Sequence, residues 1–178
     1  MRFTFLLMLF GLAGCQRGLQ GAMDALPAEG SQLPPFTLEL LDGRQVSTAD
    51  LRGQPSVVAL WSSTCGASRK ALAGIAALQS EYAARGLRVL VLADDASAQD
   101  VQTALDSAGL RVPVALAAGQ INPLFAPTKR WPWQKGVALP SFLVVDSAGI
   151  VRQRIVGIEE EPTQRMQRVR RALSALIS

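Results

Sequence analysis

A chain of 178 residues, 49% apolar and 18% charged, is long and apolar enough for one domain with its own core, and too apolar for a disordered one. Its net charge of +4 is modest and no long basic run carries it, which argues against nucleic acid as a partner. It has no histidine and two cysteines, which excludes Ser-His-Asp and Cys-His catalysis, His-ligated metals and Cys-rich zinc sites, and no cofactor is expected.

The chain opens with "MRFTFLLMLFGLAGC", a basic Arg2 followed by an apolar run from Phe3 to Leu12. Such a run of about ten residues is too short to span a bilayer as a helix. The stretch resembles a bacterial lipoprotein signal, with "LAGC" as its lipobox. That resemblance implies removal of residues 1–14 and a diacylglyceryl thioether on Cys15. The mature protein is then expected in the bacterial envelope, anchored to the membrane through Cys15 and facing the periplasm. Gln16, in place of an Asp retention signal, points to the outer membrane. With Cys15 taken by lipid, Cys65 is the remaining thiol, in a compartment where disulfides form. An internal disulfide is then impossible. A disulfide on Cys65 joins it to another molecule, a second copy of the chain included.

Residues 15–32, rich in small residues and without apolar period, read as a flexible tether, and residues 33–178 as the domain. "FTLELLDGRQV" predicts a hairpin turning at Asp42-Gly43. "STADLRGQ" predicts a short helical turn opened by Ser47 or Thr48. "PSVVALW" predicts a buried central strand ending at Trp61. A helix should follow Cys65 and run to about Arg85, with Leu72, Ile75, Leu78 and Tyr82 on its inner face and Gly86 as its stop. "LRVLVLAD" predicts a second buried strand. "SAQDVQTALDSAG" predicts a helix capped by Ser97, with Val101, Ala104, Leu105 and Ala108 inward. "VPVALA" is a short third strand. Ser141 to Ile158 reads as a hairpin, and a last helix starts at Glu159 to Pro162 with Met166, Val169, Leu173 and Leu176 inward. This alternation predicts an α/β fold with a mixed sheet, flanked by helices and preceded by the N-terminal hairpin. Ala118 to Gly136 fits no period, and so long a connection is functional or disordered.

The junction "WSSTCGASRK", Trp61 to Lys70, places a cysteine between a strand and a helix, and Ser68 three residues on, where a second cysteine would close a disulfide. "LPPFTLELLDGRQVSTADLRGQPSVVALWSSTCGASRK" resembles the opening of a TlpA/ResA-type thioredoxin-like domain, which leads to W-x-x-W-C-P-x-C-R-x-E. "LPSFLVVDSAGIVRQRIVG", Leu139 to Gly157, resembles that family's second signature. The resemblance runs from Leu33 to the C-terminus. It implies a thioredoxin-like sheet and a cis peptide before Pro140, facing the active cysteine. Trp61, Cys65 and Arg69 keep the family's residues. Thr64 replaces a Trp, Gly66-Ala67 the Pro-containing pair, and Ser68 the second cysteine, so the family's dithiol activity does not carry over.

A thiolate at a helix N-terminus is stabilised by unpaired N–H groups, and Arg69 and Lys70 stand in the same turn, so a lowered Cys65 pKa is expected. Attack on a disulfide would give a mixed disulfide that Ser68 cannot resolve. Cys65 thus reads as a monothiol for thiol–disulfide exchange with envelope proteins carrying a disulfide or thiol. The alternatives are a leftover thiol in a domain that only binds, or a one-Cys peroxidase. Trp131 and Trp133 read either as an aromatic lip for a partner or as packing of a long loop. Asp94-Asp95 follows a strand end, where ligands of α/β folds often sit, but reads as a solvated turn. Arg165, Arg168, Arg170 and Arg171 read as a solvated helix face, with contact to anionic headgroups the alternative.

Overall fold

The computed structural model describes residues 26–126, 136–156 and 161–177. In chain order the strands are β1 (Thr37–Glu39), β2 (Gln45–Ser47), β3 (Ser56–Trp61), β4 (Arg88–Ala93), β5 (Val114–Leu116), β6 (Ser141–Val145) and β7 (Val151–Val156). The helices are α1 (Gly66–Tyr82), α2 (Ala98–Ser107), α3 (Ile121–Phe125) and α4 (Pro162–Ser174). β1 and β2 form a separate antiparallel hairpin, and the other five strands form one sheet in the order β5-β4-β3-β6-β7. β4 is parallel to β3 and β5, while β6 is antiparallel to β3 and β7.

All six residues of β3 are buried, because both faces of the sheet are covered. Alternation along the strand sends Val57, Ala59 and Trp61 to one core layer, and Val58 and Leu60 to the other. The first layer lies under α1, α2 and α4, through Leu72, Ile75, Val101, Leu105, Met166 and Val169. The connections β3-α1-β4 and β4-α2-β5 step the same way across the sheet, and crossovers of one hand then put both helices on one face. The opposite layer is closed by the hairpin segment, the 3₁₀ turn Thr48–Leu51 and α3, through Phe36, Leu38, Leu51, Ile121 and Phe125.

Local signals set the element ends. α1 ends at Tyr82 and a 3₁₀ turn continues to Arg85, where Gly86 at φ +79° stops it. Ser97 Oγ accepts the Asp100 N–H at 3.2 Å and caps α2. Pro162 opens α4.

Three readings of the sequence need correction. The tether does not extend to residue 32. Leu26 is buried, and Gly30 N–H donates to Val151 O (2.8 Å), Val151 N–H to Ser31 O (2.9 Å) and Leu33 N–H to Gly149 O (2.9 Å). This segment therefore covers one outer edge of the sheet. At the other edge Leu41 N–H donates to Val114 O at 2.9 Å. Secondly, the connection from Ala118 contains α3, with Ile121 and Phe125 buried. Pro123 hides this helix from a sequence reading, yet it sits in the first turn, where its missing N–H costs nothing. Trp131 and Trp133, in the same connection, lie outside the described residues, as does residue 15. Thirdly, Arg165 is only 2% exposed and so is not on a solvated face. Arg170 also faces a neighbour: its Nε donates to Glu81 Oε2 at 2.7 Å, tying α4 to α1.

Gly74 lets α1 and α4 meet closely, since a Cβ there would lie 2.5 Å from Met166 Cγ and 2.8 Å from its Sδ. In an open helix Gly→Ala gains about 1 kcal/mol. Overlap in a packed core costs about 1–3 kcal/mol. Gly74→Ala should therefore lower stability in urea unfolding, and should raise it when introduced into a Met166→Ala chain. Stabilisation in both backgrounds would contradict the close packing.

Candidate active site

The register of the sheet builds this site. β3 ends at Trp61, and Leu60 is paired with Ser141 at the start of antiparallel β6. The residues after β3 therefore stand beside the residues before β6. Cys65 is the N-cap of α1, in extended backbone at φ −87° and ψ 118°. Its N–H donates to Ser62 O at 3.3 Å, and its carbonyl accepts the Arg69 N–H at 3.0 Å. The Cys65 thiol donates to the Leu139 carbonyl at 3.6 Å, and the Leu139–Pro140 peptide is cis. Cys65 is partly exposed and free of any disulfide, and Pro140 is buried behind Leu139.

The remaining residues singled out from the sequence fall in different places. Ser68 is fully buried in the first turn of α1. Its hydroxyl makes no hydrogen bond of regular geometry among the described residues, but it stands close enough to the Cys65 sulfur to favour the thiolate. The two observations agree if the hydroxyl finds a full acceptor only once the thiol ionises. Arg69 is exposed, and its Nη1 donates to Ser63 O at 2.8 Å, which holds the guanidinium beside the cysteine loop. Lys70 turns the other way and lines the groove between α1 and α4. Trp61 is fully buried in the layer under α1 and does not reach the surface, so it supports the site by packing.

Burial pushes the Cys65 thiol up. Against it act the Ser68 hydroxyl, the backbone N–H groups of Ser68 and Ala67, and the charge of Arg69. Together these donors win, and the thiol sits below its ordinary value. The N–H groups are the unpaired ones at the helix start, so the N-cap position of Cys65 adds to the effect of the Ser68 hydroxyl.

Asp95, set aside in the sequence reading as part of a solvated turn, stands instead behind the cysteine loop. It is 7% exposed, not a solvated turn. Its carboxylate accepts the Ser63 N–H (2.9 and 3.1 Å), the Ser63 hydroxyl (2.6 Å) and the Ser62 hydroxyl (3.3 Å). Parallel β4 pairs Ala93 with Trp61, so residues two beyond each, Asp95 and Ser63, become neighbours. That pairing, together with two serines before the cysteine, was the available signal. Asp94 instead accepts the Gly119 N–H at 2.9 Å and braces the start of the α3 connection. Beside the loop, an open groove of about 550 Å³ runs between Ser63, Thr64 and Arg69 and the side of α2 at Asp100, Thr103 and Ser107.

Comparison with known proteins places this geometry. The thiol-disulfide oxidoreductase ResA of Bacillus thuringiensis is 26% identical over 129 residues, covering 72% of this chain and 69% of that protein. The thioredoxin-like protein YneN of Bacillus subtilis is 25% identical over 131 residues, 72% of each chain. Among solved structures, a putative thiol:disulfide interchange protein DsbE from Chlorobium tepidum superposes with a TM-score of 0.71 at 22% identity, over 85% of this chain and 99% of the other. A secreted Mycobacterium tuberculosis disulfide oxidoreductase gives a TM-score of 0.60 at 18% identity, over 76% and 95%. These likenesses make the fold thioredoxin-like, with a mixed sheet and flanking helices. The sequence profile of the AhpC/TSA family matches residues 30–154, a span that carries both the Cys65 loop and the Pro140 loop, and the chain belongs to that family.

Proposed function

We propose that this protein works in thiol–disulfide exchange through one thiol, Cys65. The observation that carries the reading is a partly exposed sulfur at the N-cap of α1, surrounded by donors that favour its thiolate and facing the cis-Pro140 loop. The Cys65 thiolate attacks one sulfur of a partner disulfide. A Cys65–partner disulfide forms, the partner's S–S bond breaks, and the second partner sulfur leaves as a thiolate. No net oxidation occurs. In a dithiol site a neighbouring sulfur would next attack that adduct. Here the neighbour is the Ser68 hydroxyl, a poor nucleophile at its own pKa, and the chain contains no histidine to activate it. An external thiol therefore has to release the partner. Ser68 serves as a donor to the thiolate, which is the part of a resolving residue's environment that a hydroxyl can still perform.

The partners are envelope proteins with an accessible disulfide or thiol, and the anchor is lipid on Cys15 after removal of residues 1–14. Support comes from the lipobox-like "LAGC" and from a structural neighbour described as secreted. Among the described residues no helix is long and apolar enough to cross a membrane. Placement at the outer membrane rests on Gln16 after the cysteine.

Three measurements test this reading. A chain carrying Cys15→Ser, incubated with glutathione disulfide and weighed, should gain one glutathionyl group that persists until thiol is added. Ser68→Cys should shorten the life of that adduct by supplying the missing sulfur, and Cys65→Ser should abolish it. An unmodified chain with accessible Cys65 would defeat the proposal. The alkylation rate of Cys65 should rise with pH and level off below the range of an ordinary thiol, because the thiolate is favoured. Ser68→Ala removes a donor and should move that plateau to higher pH; an unmoved plateau would remove Ser68 from the account. Finally, cells grown with labelled palmitate should label the protein, and Cys15→Ser should lose the label; equal labelling of both would exclude the anchor.

A further inference from the structure

Asp95 is buried behind the cysteine loop, at 7% exposure. A buried carboxylate is costly unless its lone pairs are occupied. Among the described residues, the hydrogen-bond partners of the Asp95 carboxylate come from one short segment, Ser62 and Ser63. From there the bonds continue to the reacting end. Ser62 Oγ accepts the Thr64 N–H at 3.3 Å and lies 2.9 Å from Thr64 Oγ1. Ser62 O accepts the Cys65 N–H at 3.3 Å, and Ser63 O accepts Arg69 Nη1 at 2.8 Å. The carboxylate is thus bonded to the two residues whose carbonyls hold Cys65 and Arg69.

We propose that Asp95 is a positioning residue for Cys65: its carboxylate pins Ser62 and Ser63, and so sets the cysteine at the helix N-cap and the Arg69 guanidinium beside it. The inference rests on the reading of Cys65 as an exchanging thiol. Asp95 acts through the loop, not on the sulfur. Among the described residues Arg69 on α1 is the charged side chain that acts on the thiol, and the Leu139 carbonyl faces it from the opposite loop. When the loop is unpinned, Arg69 and the helix N–H groups lose their alignment with the sulfur, and the thiolate loses support.

The test is the pH profile of Cys65 alkylation in the full chain carrying Cys15→Ser, with glutathione uptake measured in parallel. Asp95→Ala should move the midpoint up by about half to one unit, which slows the reaction at neutral pH by about 3–10-fold. Asp95→Asn keeps one acceptor oxygen and should move it less. Ser63→Ala should move it in the same direction as Asp95→Ala. A merely structural carboxylate would lower the melting temperature and leave the midpoint of the folded protein where it is, and that result overturns the inference. If Asp95→Ala does not fold, Asp95→Asn and Ser63→Ala decide by the same criterion. A wild-type Cys65 that takes up no glutathione defeats the exchange reading and this inference with it. A reactive wild type beside an Asp95→Ala midpoint equal to its own defeats the inference alone.

Discussion

Hydrogen bonding of β3 on both sides is the constraint that creates the site. Its parallel neighbour β4 runs with it, so the residues after β4 stand beside those after β3. Its antiparallel neighbour β6 runs against it, so the residues before β6 stand there too. Asp95 and the Leu139–Pro140 pair arrive next to the cysteine loop for this reason alone, although they lie far apart in the chain. A slip of one residue would exchange the faces of Val57, Val58, Ala59, Leu60 and Trp61. Both faces are buried against different layers, so the register is strongly specified. The core thereby fixes the chemistry above it.

At the sulfur two effects compete. Partial burial disfavours the charged form, while the start of α1, the Ser68 hydroxyl and Arg69 favour it. A helix end is worth about 0.3–1 kcal/mol to a nearby negative charge, less than the roughly 1.4 kcal/mol of one pKa unit. The helix start therefore acts together with the Ser68 hydroxyl and Arg69 to bring the thiol down. Ser68 has a double consequence. Its hydroxyl supports the thiolate that attacks, and its lack of sulfur leaves the product of that attack unresolved. The same substitution thus retains the first half of a dithiol exchange and deletes the second.

Much of this was legible in the sequence. Valine-rich runs gave the central strands, three- and four-residue spacing gave α1, α2 and α4, and Gly86 and Ser97 marked their ends. Cys65 and Pro140 were found because short motifs surround them. The parts that escaped have physical reasons. α3 is five residues long, too short to show a period, and Pro123 disguises it. Gly30 to Leu33 dock through backbone hydrogen bonds, which small and polar residues make without any apolar pattern. Asp95 looked solvated because a pair of adjacent carboxylates usually is. Only the pairing of β3 with β4 brings it under Ser63. Trp61 keeps the family's residue beside the cysteine loop, and strand alternation turns it into the core, at the end of the buried strand that the sequence predicts.

Exchange through this site depends on Cys65 being a reactive thiol that no second sulfur in the chain relieves. The stoichiometry of its reaction with a symmetrical aromatic disulfide, whose released half is coloured, tests this most directly in the chain carrying Cys15→Ser. A monothiol site predicts one coloured thiol released per chain, with the other half held on Cys65 until an external thiol is added. Release of none from the folded protein, or of two with nothing retained, would contradict it.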